Sequence, residues 1–302
     1  MKLWFVRFHR WLALLFALPL LVVIGTGLFL SFEPWLVTRA IVPGSLTAEK
    51  VQSLLAAHDP AGRARALAFR SYDGTLTIGG RGGGVAVNVA TGEPVAGRGA
   101  LAEFLQSSRR IHEHFLFDAS WLVIGSSIVM LALALLGVIM GWPSIRNTLL
   151  GWHQAMGWGL LPLVVLSPLT GLFLAWGITL SGPPPEGSEP GGAPMRLAEA
   201  VRIVGQTHDL SSLVWLRERG GRMLARVVED GEFRVYAVTP HGTLAMPRNL
   251  PRLWHEGNFA GAWSSLLNVI TSLALLGLLV TGPWLWLRRK IRMRNRRRAA
   301  GG

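Results

Sequence analysis

The chemistry in this sequence is concentrated in its eight histidines, and their spacing sorts them. His9 is followed after 17 residues by Thr26-Gly27-Leu28-Phe29-Leu30, and His153 after the same interval by Thr170-Gly171-Leu172-Phe173-Leu174, an offset of 144 throughout. His112-Glu113 and His255-Glu256 make a second matching pair. His114 is an alternative there, because His114 to Gly141 and His255 to Gly282 are both 27 residues; the shared His-Glu dipeptide favours His112. A neutral imidazole offers one lone pair to a metal, and two imidazoles from different helices are the donor set of a b-type haem held by side chains alone. His58 and His208, each ending a short helical pattern, read as structural, and His241 as a solvated turn residue.

Other chemistries are poorly served. With no cysteine there are no disulfides, zinc–thiolate sites, iron–sulfur clusters or covalent haem attachment. His112-Glu113-His114 lacks the H-E-x-x-H spacing of a zinc hydrolase. Ser126, Ser127, Ser264 and Ser265 lie in apolar stretches with no matching Asp, as helix-packing residues do. The run Gly79-Gly80-Arg81-Gly82-Gly83-Gly84 links two strand-like segments, so it reads as a hairpin rather than a phosphate loop.

The elements that must position the histidines are membrane spans. Half of the 302 residues are apolar and 16% are charged, unlike a typical soluble globule. Residues 11–32 contain no charge, and at about 1.5 Å per residue they reach across a hydrocarbon core of about 30 Å. Residues 119–145, 152–178 and 260–287 qualify likewise. The first stretch is longer than a signal-peptide core and no A-x-A-like site follows it, so it reads as an uncleaved anchor. Lys2, Arg7 and Arg10 precede it, Arg146 sits in the short turn between the second and third spans, and seven arginines with Lys290 follow the fourth. These twelve basic groups have no acid among them, whereas the two long intervening segments share 18 basic and all 17 acidic groups. The positive-inside rule therefore predicts both termini in the cytoplasm and both long segments exported. The net charge of +13 is a topology signal and a contact for anionic lipid, not a nucleic-acid footprint. Trp4, Trp11, Trp121, Trp142, Trp152, Trp176, Trp284 and Trp286 fall at the span ends, where an interfacial belt belongs.

The predicted layout is a cytoplasmic N-terminus (1–10), a first span (11–34), an exported module (35–118), a second span (119–142), a cytoplasmic turn (143–151), a third span (152–179), a second exported module (180–257), a fourth span (258–287) and a basic cytoplasmic tail (288–302). Each module shows an amphipathic helix, at residues 47–58 and 195–208. Three strand-like runs follow in each case, at 66–70, 75–78 and 85–89, and at 212–216, 222–228 and 233–238. Residues 182–194, rich in Gly and Pro, read as a linker. The expected fold is a multi-pass membrane protein: a four-helix transmembrane bundle from an internal duplication, carrying two small αβββ modules. Functional sites of such parallel repeats tend to lie between them.

The His-Arg-Trp at residues 9–11, the internal Pro19 and Pro162 and the closing Thr-Gly-Leu together resemble the PepSY-associated transmembrane family, and the modules resemble its PepSY domains. That resemblance extends over nearly the whole chain. It implies a haem-containing ferric-siderophore reductase or iron-regulated protein of the bacterial inner membrane. His9 and His153 would then ligate one haem b, and His112 (or His114) with His255 a second. Electrons would come from quinol or a cytoplasmic reductase, since no flavin or nicotinamide motif is present and residues 288–302 leave no room for such a fold. Arg109, Arg110, Arg252 and Trp254 are candidates for holding a ferric chelate, and no catalytic residue is singled out. The competing expectation is a non-enzymatic, membrane-anchored module that restrains an exported peptidase or another protein.

Overall fold

The computed structural model describes residues 2–80, 83–144, 146–190 and 195–300. The tip of the expected glycine hairpin (Arg81, Gly82), Ile145 in the expected turn and part of the expected linker (191–194) lie outside the described residues. In chain order the helices are α1 (Lys2–Leu15), α2 (Ala17–Leu30), α3 (Glu33–Arg39), α4 (Ala48–His58), α5 (Ala100–His114), α6 (Ser120–Ile139), α7 (Leu149–Gly159), α8 (Leu161–Ala175), α9 (Leu197–Thr207), α10 (Leu250–Glu256) and α11 (Ala262–Ala300). The strands are β1 (Ala66–Arg70), β2 (Thr75–Gly80), β3 (Gly83–Asn88), β4 (Leu213–Arg219), β5 (Arg222–Glu229), β6 (Glu232–Thr239) and β7 (Gly242–Ala245). The chain divides into a membrane unit (Met1–Ser31, Leu105–Ile178, Leu266–Gly302) and a sheet unit (Phe32–Phe104, Thr179–Ser265).

In the membrane unit, three helices are long and apolar enough to cross a bilayer: Ala17–Arg39, Ser120–Ile139 and Ala262–Ala299. A fourth candidate is the pair α7 and α8, bent by 63° at Leu160. The interruptions have a local cause. Pro162 stands at the start of α8, and Pro19 stands just after the break at Phe16 between α1 and α2; each lacks the N–H that would continue the ladder, and its ring crowds the carbonyl four residues back. Leu20 and Ile24 of α2 are buried against Val129 and Met130 of α6, Val164 of α8 and Leu275 of α11. Helix α5 does not run on into α6. The chain turns between them through Phe115, Phe117 and Asp118, all at positive φ.

The sheet unit is one antiparallel sheet in the order β3-β2-β1-β4-β5-β6-β7. It holds seven strands rather than the six read from sequence. The segment after Thr239, taken for a turn alone, is a β-turn leading into β7, which pairs with β6. The two strand sets also form one sheet, joined where Ala66, Leu67 and Ala68 pair with Arg217, Leu216 and Trp215. Period-two alternation puts Leu67, Leu76, Leu216, Ala225 and Val227 on the face that meets Val51, Leu54 and Leu55 of α4 and Ala200, Val201, Ile203 and Val204 of α9. Burying each large apolar side chain of this core contributes about 1.5–3 kcal/mol. Thr47 starts α4 by accepting from the Lys50 N–H at 3.2 Å, and the Asp59 carboxylate closes it by accepting from the N–H groups of Arg63 and Ala64 at 2.9 Å. Gly79 and Gly84 are required by contact: a Cβ on either would stand 2.5–2.6 Å from the backbone of the facing strand.

Candidate functional site

Two imidazoles face each other inside the membrane unit. His9 on α1 and His153 on α7 have ring centroids 6.5 Å apart and planes at 88°. His153 Nδ1 lies 2.7 Å from Thr281 Oγ1 of α11. That hydroxyl has one proton, which it donates to the Gly277 carbonyl at 2.6 Å, so it accepts from His153 and assigns the imidazole proton to Nδ1. The acceptor lone pair is then on Nε2. His9 Nδ1 is buried with no hydrogen-bond partner, an arrangement that buried polar atoms rarely keep without a ligand. Two metal–imidazole bonds of about 2 Å on opposite sides of one iron put ring centres roughly 6 Å apart. His9 and His153 are thus close enough, with His9 Nδ1 unpartnered, that they could hold a haem, which would supply one-electron chemistry there.

A second histidine is oriented the same way. His112, in the last turn of α5, has Nδ1 3.0 Å from the Val23 carbonyl and 3.2 Å from Thr26 Oγ1. Thr26 donates its own proton to the Val22 carbonyl at 2.7 Å, so the proton again belongs on Nδ1. Gly27 makes room for this ring, since a Cβ there would stand 3.1 Å from His112 Cε1. Gly282 lies beside His153 likewise, its Cβ position 3.7 Å from Cε1. Each of these histidines thus rests on a Thr-Gly dipeptide of another helix. The repeat spacing brings out Thr26-Gly27 and Thr170-Gly171 but not Thr281, although Thr281-Gly282 is the same dipeptide near the end of an apolar stretch.

The other candidates have different surroundings. His114 is exposed, its Nδ1 3.4 Å from Ser120 Oγ. His255 is on α10 in the sheet unit, so His112 and His255 belong to different units. Helix α10 is held by local signals: Asn249 caps it through the Arg252 N–H, Pro251 occupies its first turn and Gly257 ends it at φ 64°. Its Glu256 receives Arg226 Nη2 at 2.8 Å, Arg252 Nη1 at 2.5 Å and Asn258 Nδ2 at 2.6 Å. Trp254 stacks on Phe259 at 4.7 Å. Arg109 lies 3.6 Å from Glu113 one turn on, and Arg110 is exposed. His58 Nε2 donates to the Gly92 carbonyl at 2.9 Å, and His208 sits between Glu229 (3.0 Å) and Thr243 (3.3 Å). Among the described residues, no three His, Asp or Glu side chains form a metal-ion cluster.

Apolar helices of spanning length, with half-buried imidazoles on them and an antiparallel sheet unit in the same chain, define a multi-pass membrane protein. The chain belongs to the family described as PepSY-associated TM region, whose model matches residues 6–289. No curated protein matches it in a sequence comparison.

Proposed function

We propose that this protein is a b-type haem protein of the bacterial inner membrane that carries electrons to an exported ferric chelate. The observation that carries the reading is the His9–His153 pair. A haem held there would supply a one-electron carrier within the membrane. The residues of the chain do the rest. Thr281 fixes the His153 tautomer and ring plane, as the Val23 carbonyl and Thr26 do for His112, and such outer partners orient a ligand and raise its basicity. Gly27 lets the His112 ring approach α2. His112 is the better placed of the two alternatives for a second site, because it is packed against α2 whereas His114 is exposed. Arg109, Arg110, Arg252 and Trp254 are the proposed chelate contacts. The acceptor is ferric ion in an oxygen-donor chelate such as a siderophore, which gains one electron and holds the softer ferrous product less tightly. The donor is quinol or a cytoplasmic reductase.

The same reading keeps the duplicated four-helix bundle, both termini in the cytoplasm and the two sheet-forming modules outside, supported by the charge asymmetry. The test is a visible spectrum of protein purified from haem-replete cells, before and after dithionite. Low-spin bis-imidazole bands from about two haems per chain are expected. Colourless protein refutes the reading. Reduced protein should then be reoxidised by added ferric chelate.

A further inference from the structure

The sheet has a second face, away from α4 and α9, and near β4 and β5 it gathers positive charge. Trp215 and Arg217 of β4 share that face with Arg226 of β5, which lies opposite Trp215 in the register. The Arg217 guanidinium stacks over Trp215 at 4.2 Å and that of Arg226 over Phe233 at 4.9 Å. Arg252 reaches the cluster from α10 through Glu256, which it shares with Arg226. Among the described residues Glu256 is the carboxylate paired with these cations. Among the described residues no carboxylate forms an ion pair with Arg217. The Nε atoms of Arg217 and Arg226 are buried without hydrogen-bond partners, and the Arg226 side chain is only 12% exposed. Burial, followed by the proximity of Arg219, Arg252 and Arg226, holds the Arg217 guanidinium below its ordinary range. Gathered like charges raise the free energy of the folded unit unless an anion joins them, and stacked guanidinium planes are held ready for bidentate contact with an oxyanion.

We propose that Arg217, Arg226 and Arg252 form a binding site for an oxyanion, carboxylate or phosphate, on this face of the sheet. Trp215 and Phe233 act as the platforms that hold the guanidinium planes, and Glu256 spaces Arg226 from Arg252. The site shares Arg252 with the proposed chelate contacts, but none of its residues is a proposed iron ligand, so it stands without the haem.

The test titrates citrate into the full-length protein in neutral detergent and reads the heat of binding, which does not require haem. Binding is expected, weakened about tenfold or more by Arg217→Gln and partly restored by Arg217→Lys. Glu256→Gln should tighten it by releasing two guanidiniums, a sign that a merely structural role would not give. Repeating the titration in nanodiscs separates the sources of the anion: loss of citrate binding when phosphatidylglycerol replaces phosphatidylcholine assigns the site to a lipid headgroup, and retention assigns it to a free ligand. No citrate binding in detergent, or equal binding by wild type, Arg217→Gln and Glu256→Gln, overturns the proposal.

Discussion

His153 and His208 are both held by hydrogen bonds, yet they are held for different ends. His153, in the membrane unit, spends Nδ1 on the neutral Thr281 hydroxyl, and its ring centre lies 6.5 Å from that of His9. His208, in the sheet unit, uses both nitrogens, on the Glu229 carboxylate and on Thr243, and its ring packs on Tyr236 at 4.4 Å. The first arrangement leaves a lone pair to offer. The second ties the end of α9 to β5, β6 and β7. A hydroxyl that accepts from one ring nitrogen leaves the other nitrogen as an acceptor, whereas partners on both nitrogens leave no lone pair to offer. The two differ in whether their neighbours leave a ring nitrogen unused.

The sharpest way to break this contrast is to remove each ring. His153→Ala or His9→Ala should lose one haem per chain, measured as pyridine haemochrome against protein, whereas His208→Ala should keep both and lower only thermal stability. Equal haem content in all three variants would erase the distinction. A finer cut is Thr281→Val, which removes the hydroxyl and keeps the shape. Haem affinity at that site should fall roughly 10–100-fold, with Thr281→Ser restoring most of it in a haem titration of the apoprotein. Smaller again is Gly27→Ala. The added methyl would stand 3.1 Å from His112 Cε1, so the ring must shift, at an expected cost of about 1–3 kcal/mol read from thermal unfolding.

The smallest effect belongs to the sheet unit and is a pH dependence. Burial, and then the hydrogen bond it donates to Glu229, push the Tyr236 hydroxyl up to about 12. A group whose folded pKa is raised contributes stability that is full below the unfolded value of about 10 and is lost as pH rises through the folded one. Unfolding monitored by circular dichroism between pH 10 and 12 should therefore show declining stability, and Tyr236→Phe should flatten that decline. An unchanged slope in the variant would remove Tyr236 from the network.

The short helices and strands were legible in the sequence wherever one residue's period decides them. Val51, Leu54 and Leu55 repeat on one face of a helix, and Leu67 and Phe69 alternate along a strand, so local pattern and burial agree. The β1–β4 seam was not legible, because a pairing between residues some 150 positions apart leaves no local mark on either strand. Strand β7 was hidden behind Thr239-Pro240-His241-Gly242, a turn signal strong enough to suggest that the sheet had ended. In the candidate site the repeat spacing identified His9 and His153, but nothing near them in sequence names Thr281, 128 residues from His153. Glu256 was noticed only as the neighbour of His255. Its bonds to Arg226 and Arg252 depend on how α10 meets β5, which the sequence does not encode locally.

The β1–β4 seam also sets an order of events during synthesis. At about 5–20 residues per second, β4 leaves the ribosome roughly 7–30 seconds after β1, its partner across the seam. Throughout that wait β1 has β2 on one side and an open edge on the other, with unpaired backbone groups that could accept a foreign strand. The newborn first half must therefore be shielded, or held too dilute to meet its like, until the second half arrives to occupy the edge.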